Sequence, residues 1–352
     1  MDLIPGLPDD IGLECLIRLD HTQFPSAASV CRGWKSEIEL SSFRTYRKSA
    51  GLSRRIIVMV QAQTDPTRKH GLRKYSAAPV YRLTVYEPDT GKWGELNPIP
   101  GFSNGLPLFC QIAPVGCNLV VMGGLNPDNW ETSNFVFVYN FVSATWRRGP
   151  DMPGCTRSFF GCASDNDRRV FVAGGHDNEK NALRSAMAYD VVEDEWTSLA
   201  DMADERDECK GVFHRGNFYV IGGYSTSMQG QFGKTAECFN LSTWQWEVTD
   251  NDFLSGDTCP RTCVNGGNGV VYMYQDGAVV ALDHSSRIRI PSTMDSVPCL
   301  IGLEGQLLAV GSVGFGRTHG VYTLDLKSST WTKADVPEVY SGHVQSGCCL
   351  EI

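Results

Sequence analysis

The sequence predicts a mostly β protein, a six-bladed β-propeller preceded by a small α-helical domain, and three observations predict it. Apolar runs ending in Gly-Gly recur, LVVMGG at 119–124, VFVAGG at 170–175 and FYVIGG at 218–223, so that the second glycines stand 51 and 48 residues apart. An aromatic residue or leucine precedes a tryptophan by seven positions in five places: Tyr86/Trp93, Tyr139/Trp146, Tyr189/Trp196, Phe239/Trp246 and Leu324/Trp331. Leu282 and Arg289 read as a sixth, degenerate copy that has lost its tryptophan. The first fifty residues carry neither signal. Self-similarity at a period of about 50 residues marks a repeat architecture, and four short strands per repeat is the arithmetic of a propeller blade.

The domain at 1–45 comes first. Pro8 and Asp9 mark a helix start, with Asp9 or Asp10 as the expected cap. Ile11, Cys15, Leu16 and Leu19 fall at helical spacing, and a second apolar set, Ala27, Val30, Cys31 and Trp34, follows the Phe24-Pro25 break. Two or three helices this short cannot bury all their apolar surface alone. Each large side chain that a neighbour covers contributes about 1.5–3 kcal/mol. The neighbour is either the propeller, with the helices as a docked cap, or another protein. Gly12 costs about 1 kcal/mol against alanine inside a helix, which suits a helix held by a partner.

Residues 46–55 lie in the basic stretch SSFRTYRKSAGLSRR at 41–55, which has one glycine and no proline. This reads as a helical linker, continuous with the preceding element, that fixes the two domains relative to each other; a floppy linker would be rich in Gly and Ser. Its basic residues, like RKHGLRK at 68–74, suit a solvated face or loop, or a nuclear-import or nucleic-acid patch.

The propeller is expected over 56–352. Each Gly-Gly pair is assigned to a blade's inner strand, where crowding near the axis favours a residue without Cβ. Each tryptophan is expected to wedge between neighbouring blades. The outer copies are weaker: VMVQAQ replaces the glycine-ended run in the first, VYMYQDG in the fifth, and the sixth keeps only Gly311. The stretch GSVGFG at 311–316 does not fit a dinucleotide-binding pattern. SGCCLEI at 346–352 looks like a strand that opens a repeat, and the first copy lacks one before Ile56. The C-terminal strand is therefore expected to supply the inner strand of blade 1, since ring closure removes exposed edges.

Composition narrows the function. The 31 basic and 40 acidic residues give a net charge of −9, which disfavours a nucleic-acid partner bound through global charge. The acidic, proline-broken start is no signal peptide, and apolar runs such as Ile56–Val60 are far short of the ~18 residues that span a bilayer. The expectation is a cytoplasmic and/or nuclear protein with no membrane partner. Thirteen cysteines without a Cys-x-x-Cys pair and seven scattered histidines point to small buried hydrophobes, with no metal site and no cofactor. No Ser/His/Asp arrangement can be defended, so no catalytic residue is assigned.

The Gly-Gly runs with their spaced Tyr and Trp resemble the kelch repeat, a propeller-forming family, over about 55–352. Leu-Pro-Asp-Asp-Ile at 7–11, Glu-Cys-Leu-x-Arg-Leu at 14–19 and Ser-Val-Cys-Arg-x-Trp at 29–34 resemble the F-box, over 3 to about 45. That resemblance implies binding to the Skp-type adaptor and, through it, to a cullin–RING ubiquitin ligase. The contact residues it carries over are Leu7, Pro8, Ile11, Leu16, Leu19, Val30, Cys31 and Trp34, some of which must be internal to the helices. The order F-box then kelch, with AGLSRR at 50–55 before IIVMVQAQ, is similar to plant members, some of which target phenylalanine ammonia-lyase and others cytokinin response regulators. The implied function is a non-catalytic substrate receptor that delivers a protein for ubiquitination. The alternative is a kelch scaffold or ligand-binding propeller unlinked to ubiquitination, its helices a dimerisation or docking element.

In a propeller, loops carry binding. The resemblance places a protein substrate on the face made by loops entering each first strand and leaving each Gly-Gly strand. The entering loops supply Arg157, Arg206 and Arg261 at a corresponding place in three successive repeats, and the leaving loops supply His176, Asp177, Tyr224, Trp130 and Arg317. Three arginines around a pore mouth would hold an acidic or phosphorylated patch, each charged hydrogen bond contributing about 1.5–3 kcal/mol. The competing expectation is that these arginines bridge blades.

Overall fold

The computed structural model describes residues 3–64, 79–102, 104–247, 249–256, 258–314 and 317–352. The basic segment at 68–74 lies outside the described residues. Short strands, almost wholly buried in the middle of each blade and largely exposed at its outer edge, pair into six four-stranded antiparallel sheets, the blades of a propeller. From the axis outward, blade 1 is Val344–Glu351, Arg55–Ala62, Tyr81–Glu87 and Lys92–Glu95, so the C-terminal strand closes the ring. Blade 2 is Gln111–Val115, Asn118–Met122, Val136–Asn140 and Thr145–Arg148; blade 3 is Gly161–Ser164, Arg169–Ala173, Ala186–Asp190 and Glu195–Ser198. Blade 4 is Lys210–His214, Asn217–Ile221, Ala236–Asn240 and Gln245–Trp246; blade 5 is Val264–Asn265, Val271–Gln275, Ala278–Ala281 and Arg287–Arg289. Blade 6 is Ser296–Leu303, Gln306–Ser312, His319–Asp325 and Thr330–Lys333.

The Gly-Gly pairs end the second strand of blades 2, 3 and 4, not the innermost one as expected. The reason for glycine nonetheless holds. Gly175 has φ +84°, and a Cβ there would meet the Ser158 carbonyl oxygen at 2.4 Å; Gly124 has φ +96° and would meet that of Leu108 at 2.7 Å. The pair is a left-handed turn whose second glycine is pressed against the loop that enters the same blade, while the first meets the following blade, as Gly174 does the Arg206 carbonyl.

The tryptophans lock neighbouring blades. Trp146, Trp196, Trp246 and Trp331 donate their indole N–H to Asn97, Pro150, Ala200 and Arg289 carbonyls at 2.8, 3.0, 2.7 and 2.9 Å, each acceptor lying at or just past the outer strand of the preceding blade. Trp93 donates across the closure to Asp335. Blade 5 has no such lock. Its third and fourth strands pair Val280 with Arg287, so these, rather than Leu282 and Arg289, occupy the aromatic/Trp register.

Among the described residues four helices precede the ring: α1 (Asp9–Ile17), α2 (Phe24–Val30), α3 (Arg32–Glu39) and α4 (Ser41–Ser49). The helix in the basic stretch stops at Ser49, short of the expected linker end, and Leu40 (φ −65°, ψ 145°) separates it from α3. No acidic side chain caps α1. Pro8 holds the cap position, while Asp9 accepts a hydrogen bond from the Leu3 amide at 2.7 Å. Gly12 has an internal cause as well: a Cβ there would lie 3.3 Å from Leu3 Cβ, so its absence lets the N-terminal segment lie on α1.

Helices and ring share a core. Leu16, Ile17, Phe24, Ile38 and Phe43 belong to the same buried cluster as Ile56, Val58, Leu119, Val121 and Leu350. Arg47 is its polar keystone. Buried on α4 over the Phe24 ring, it donates to the carbonyls of Ile17, Leu19 and Leu52, satisfying the end of α1 and the turn into the first strand.

Candidate functional site

The helical domain divides its apolar residues between two faces. Leu16 is 2% exposed and Ile17 5%, whereas Leu7 (37%), Ile11 (46%) and Val30 (62%) stand in solvent together with exposed Pro8 and Cys31. Of the eight residues expected to contact an adaptor, Leu16 is corrected to a core residue: α1 turns it away from Ile11 and into the buried cluster that helices and ring share. Leu19 and Trp34 are half-buried against the same core, and the Trp34 indole donates to the Leu3 carbonyl at 2.6 Å. What remains exposed are Leu7, Pro8, Ile11, Val30 and Cys31.

The basic residues of α4 are neither a solvated face nor a free patch. Arg44 pairs with Asp167 at 3.3 Å, and Lys48 pairs with Glu304 at 2.6 Å and Glu351 at 2.9 Å. Glu39, at the end of α3, accepts from Asn140 at 3.0 Å. Asp167, Asn140 and Glu304 sit at the hairpins joining first to second or third to fourth strands, so the helices cover that end of the ring. Ser41, Arg44, Thr45 and Lys48 lie across the axial channel, which encloses about 630 Å³ beneath them. The end carrying the Gly-Gly turns and the blade-to-blade loops faces the other way.

On that loop end, Arg157 and Arg206 are 1% and 3% exposed and cannot meet a partner as the sequence reading supposed. Each staples its own blade. Arg157 donates to the Gly174 and Ser185 carbonyls at 3.1 and 3.3 Å and to Ser185 Oγ at 2.9 Å. Arg206 donates to the Gly222 and Thr235 carbonyls at 2.8 and 3.2 Å and pairs with buried Glu237 at 3.0 Å. A left-handed Gly-Gly turn leaves its carbonyls outside the sheet ladder, and a planar guanidinium fork satisfies them. Arg261 is exposed, so the three arginines do not share one environment.

The other expected residues scatter by role. His176 Nδ1 lies 2.9 Å from both carboxylate oxygens of Asp207, and the Tyr224 hydroxyl donates to Glu208 at 2.9 Å. Asp177 caps its own loop through Asn181 at 2.8 and 3.0 Å. Trp130, 60% exposed, and Arg317 both lie at the surface. The sequence reading missed Phe109, Phe159 and Glu208. Each stands two residues before the innermost strand of its blade with φ of +60°, +55° and +49°. Their shared offset from the repeat was the available signal.

All thirteen cysteines are unpaired. Burial pushes the Cys110 thiol up to about 12 and those of Cys117 and Cys209 to about 11, which keeps them protonated and inert. Among the described residues no three His, Cys, Asp or Glu side chains gather as a metal site, and no helix is long and apolar enough to cross a membrane.

Residues 4–46 match the F-box domain family, and 109–153, 156–203 and 205–249 match the Kelch motif family. F-box/kelch-repeat protein At1g80440 of Arabidopsis thaliana is 49% identical, and At1g15670 of the same plant 46%, each over all of both chains. F-box/kelch-repeat protein SKIP20, also from Arabidopsis thaliana, is 34% identical over 74% of this chain and 69% of its own.

Proposed function

The chain belongs to the F-box/kelch-repeat family, and from that premise we propose that it is the non-catalytic substrate-recognition subunit of an SCF-type cullin–RING ubiquitin ligase. The helical domain binds the Skp-type adaptor through Leu7, Pro8, Ile11, Val30 and Cys31, and the loop end of the propeller holds a protein destined for ubiquitination. The observation that carries this reading is the opposition of the two surfaces. The exposed apolar residues belong to a helical domain pinned by Arg44 and Lys48 across one end of the ring, and the loop end is turned away from it. A ligase needs substrate and adaptor held at a set separation, and a shared core supplies that better than a flexible tether. Within this reading the substrate is a plant metabolic or signalling protein, with phenylalanine ammonia-lyase the first candidate, and the chain works in the cytoplasm and/or nucleus.

The test is capture of a purified Skp-type adaptor by the full chain and by Ile11→Asp/Val30→Asp. Both positions are exposed, so the variant should melt as the parent does yet lose the adaptor. Capture by the double variant at the parent's strength would reject the assignment. Removing residues 1–45 is a poorer test, because it would strip Phe24 and Phe43 from the core.

A further inference from the structure

The loop end carries an arc of side chains across three blades. Phe109 and Phe159, from blades 2 and 3, meet with ring centroids 4.5 Å apart. Phe159 stacks on His176 at 5.4 Å, and His176 contacts Asp207 at 2.9 Å. Asp207 accepts the Glu208 amide at 2.8 Å, and Glu208 accepts the Tyr224 hydroxyl at 2.9 Å. Both phenylalanines and Glu208 are half-exposed. Three non-glycine residues at equivalent places with positive φ are conformational outliers, of the kind that proteins hold at binding surfaces.

The segment that enters blade 4 is acidic. The segment 199–209 has five carboxylates and one guanidinium, and that guanidinium, Arg206, is turned inward onto Glu237. Among the described residues neither Glu205 nor Glu208 is paired with a lysine or arginine, and the ion-pair partner of Asp207 is His176. Burial, then the neighbouring Asp207 and Glu208 carboxylates, push the Tyr224 hydroxyl above its ordinary value, as a negative surrounding would. The exposed cations of this end include Arg261 and Arg317 on blades 5 and 6, and Lys180, Arg184 and Lys234 on the loops of blades 3 and 4, of which Arg184 is paired with Asp201.

We propose that this arc is a docking shelf for a segment of the substrate that carries a lysine or arginine beside an apolar side chain. The apolar group packs on the Phe109–Phe159 pair, and the cation reaches Glu208 across the aromatic faces, where carboxylate and ring quadrupole both attract it. This rests on the receptor reading above and reverses the sign of partner that three exposed arginines would have selected.

The test is selection from a random peptide library displayed on phage, using the immobilised full chain, followed by titration of one enriched synthetic peptide. Enriched peptides should share a Lys or Arg next to an apolar residue. Glu208→Gln should weaken the peptide by about tenfold and Glu208→Lys should abolish binding. Phe159→Leu, its melting temperature checked against the parent, should weaken it similarly. Acidic enriched peptides, no enrichment at all, or affinity indifferent to Glu208→Lys would overturn the shelf. Adaptor capture is measured on the same preparations: its loss with peptide preference retained rejects the ligase reading alone, and the converse rejects the shelf alone.

Discussion

Trp93 donates its indole N–H to the carbonyl of Asp335, 242 residues along the chain, at 3.0 Å. This is the tryptophan lock of every other locked seam, made across the point where the ring closes. It acts beside the backbone pairing of Val344–Glu351 with Arg55–Gln61. Trp93→Phe removes one hydrogen bond and part of an aromatic contact, at a cost of about 1–2 kcal/mol, which should lower the melting temperature by roughly 2–6 °C. Deleting 343–352 exposes a strand edge and an open core and should prevent cooperative melting altogether. If the truncated chain melts as the parent does, closure by this strand is not what holds the ring.

The seam between blades 4 and 5 should be the weakest. Arg287 stands where the other seams have tryptophan, and the flanking strands Gln245–Trp246 and Val264–Asn265 are two residues each. Local opening follows poor burial and short ladders. Amide hydrogen exchange should therefore be faster in Arg287–Arg289 than in Glu195–Ser198 or Thr330–Lys333. Equal protection of all three outer strands would refute a weak seam.

The periodic features were legible because they recur: the Gly-Gly turns, the Tyr/Trp spacing and the missing opening strand of the first repeat all place residues by register. What the sequence hid were contacts that do not recur. Arg157 and Arg206 look like pore-mouth ligands until the carbonyls of Gly174 and Gly222, 17 and 16 residues away, are seen to need a donor. The cationic face of α4 looks solvated until Asp167, Glu304 and Glu351 are brought to it by the ring. Leu16 and Ile11 have the same hydrophobic character, and only the face of α1 on which each falls in the folded domain tells them apart.

Arg206→Ala should destabilise the fold by about 3–5 kcal/mol, because it leaves Glu237, 1% exposed, as an unpaired buried charge. Arg261→Ala, at an exposed position, should stay within about 0.5 kcal/mol of the parent. Urea melts of the two variants decide between a structural and a surface role. Equal stability of both would restore the sequence reading of a shared arginine surface.

Leu16→Ala should cost about 2–5 kcal/mol through a cavity in the core that the helices and ring share. Any fall in adaptor capture should follow the folded fraction alone. A variant that stays fully folded yet loses the adaptor would put Leu16 back on the binding surface.

Stability should also fall when the pH drops below about 6.5, and His214 supplies the reason. It ends the innermost strand of blade 4, is buried against Tyr219 and Asn265, and among the described residues its Nδ1 has no hydrogen-bond partner. Burial first, and the neighbouring Arg215 next, hold its pKa below the ordinary 6.5. Between the unfolded and folded pKa values the unfolded chain binds more protons, so acid favours unfolding; below the folded value the effect levels off. Each unit of separation contributes about 1.4 kcal/mol at most. Carboxylates held down by partners, such as Asp89 beside Arg55, lose their stabilisation only below about pH 4, outside this window. The melting temperature of the parent should therefore drop between pH 7.5 and 5.5, and His214→Gln should show a smaller drop over the same range. An identical drop in both proteins would assign the acid sensitivity to another group.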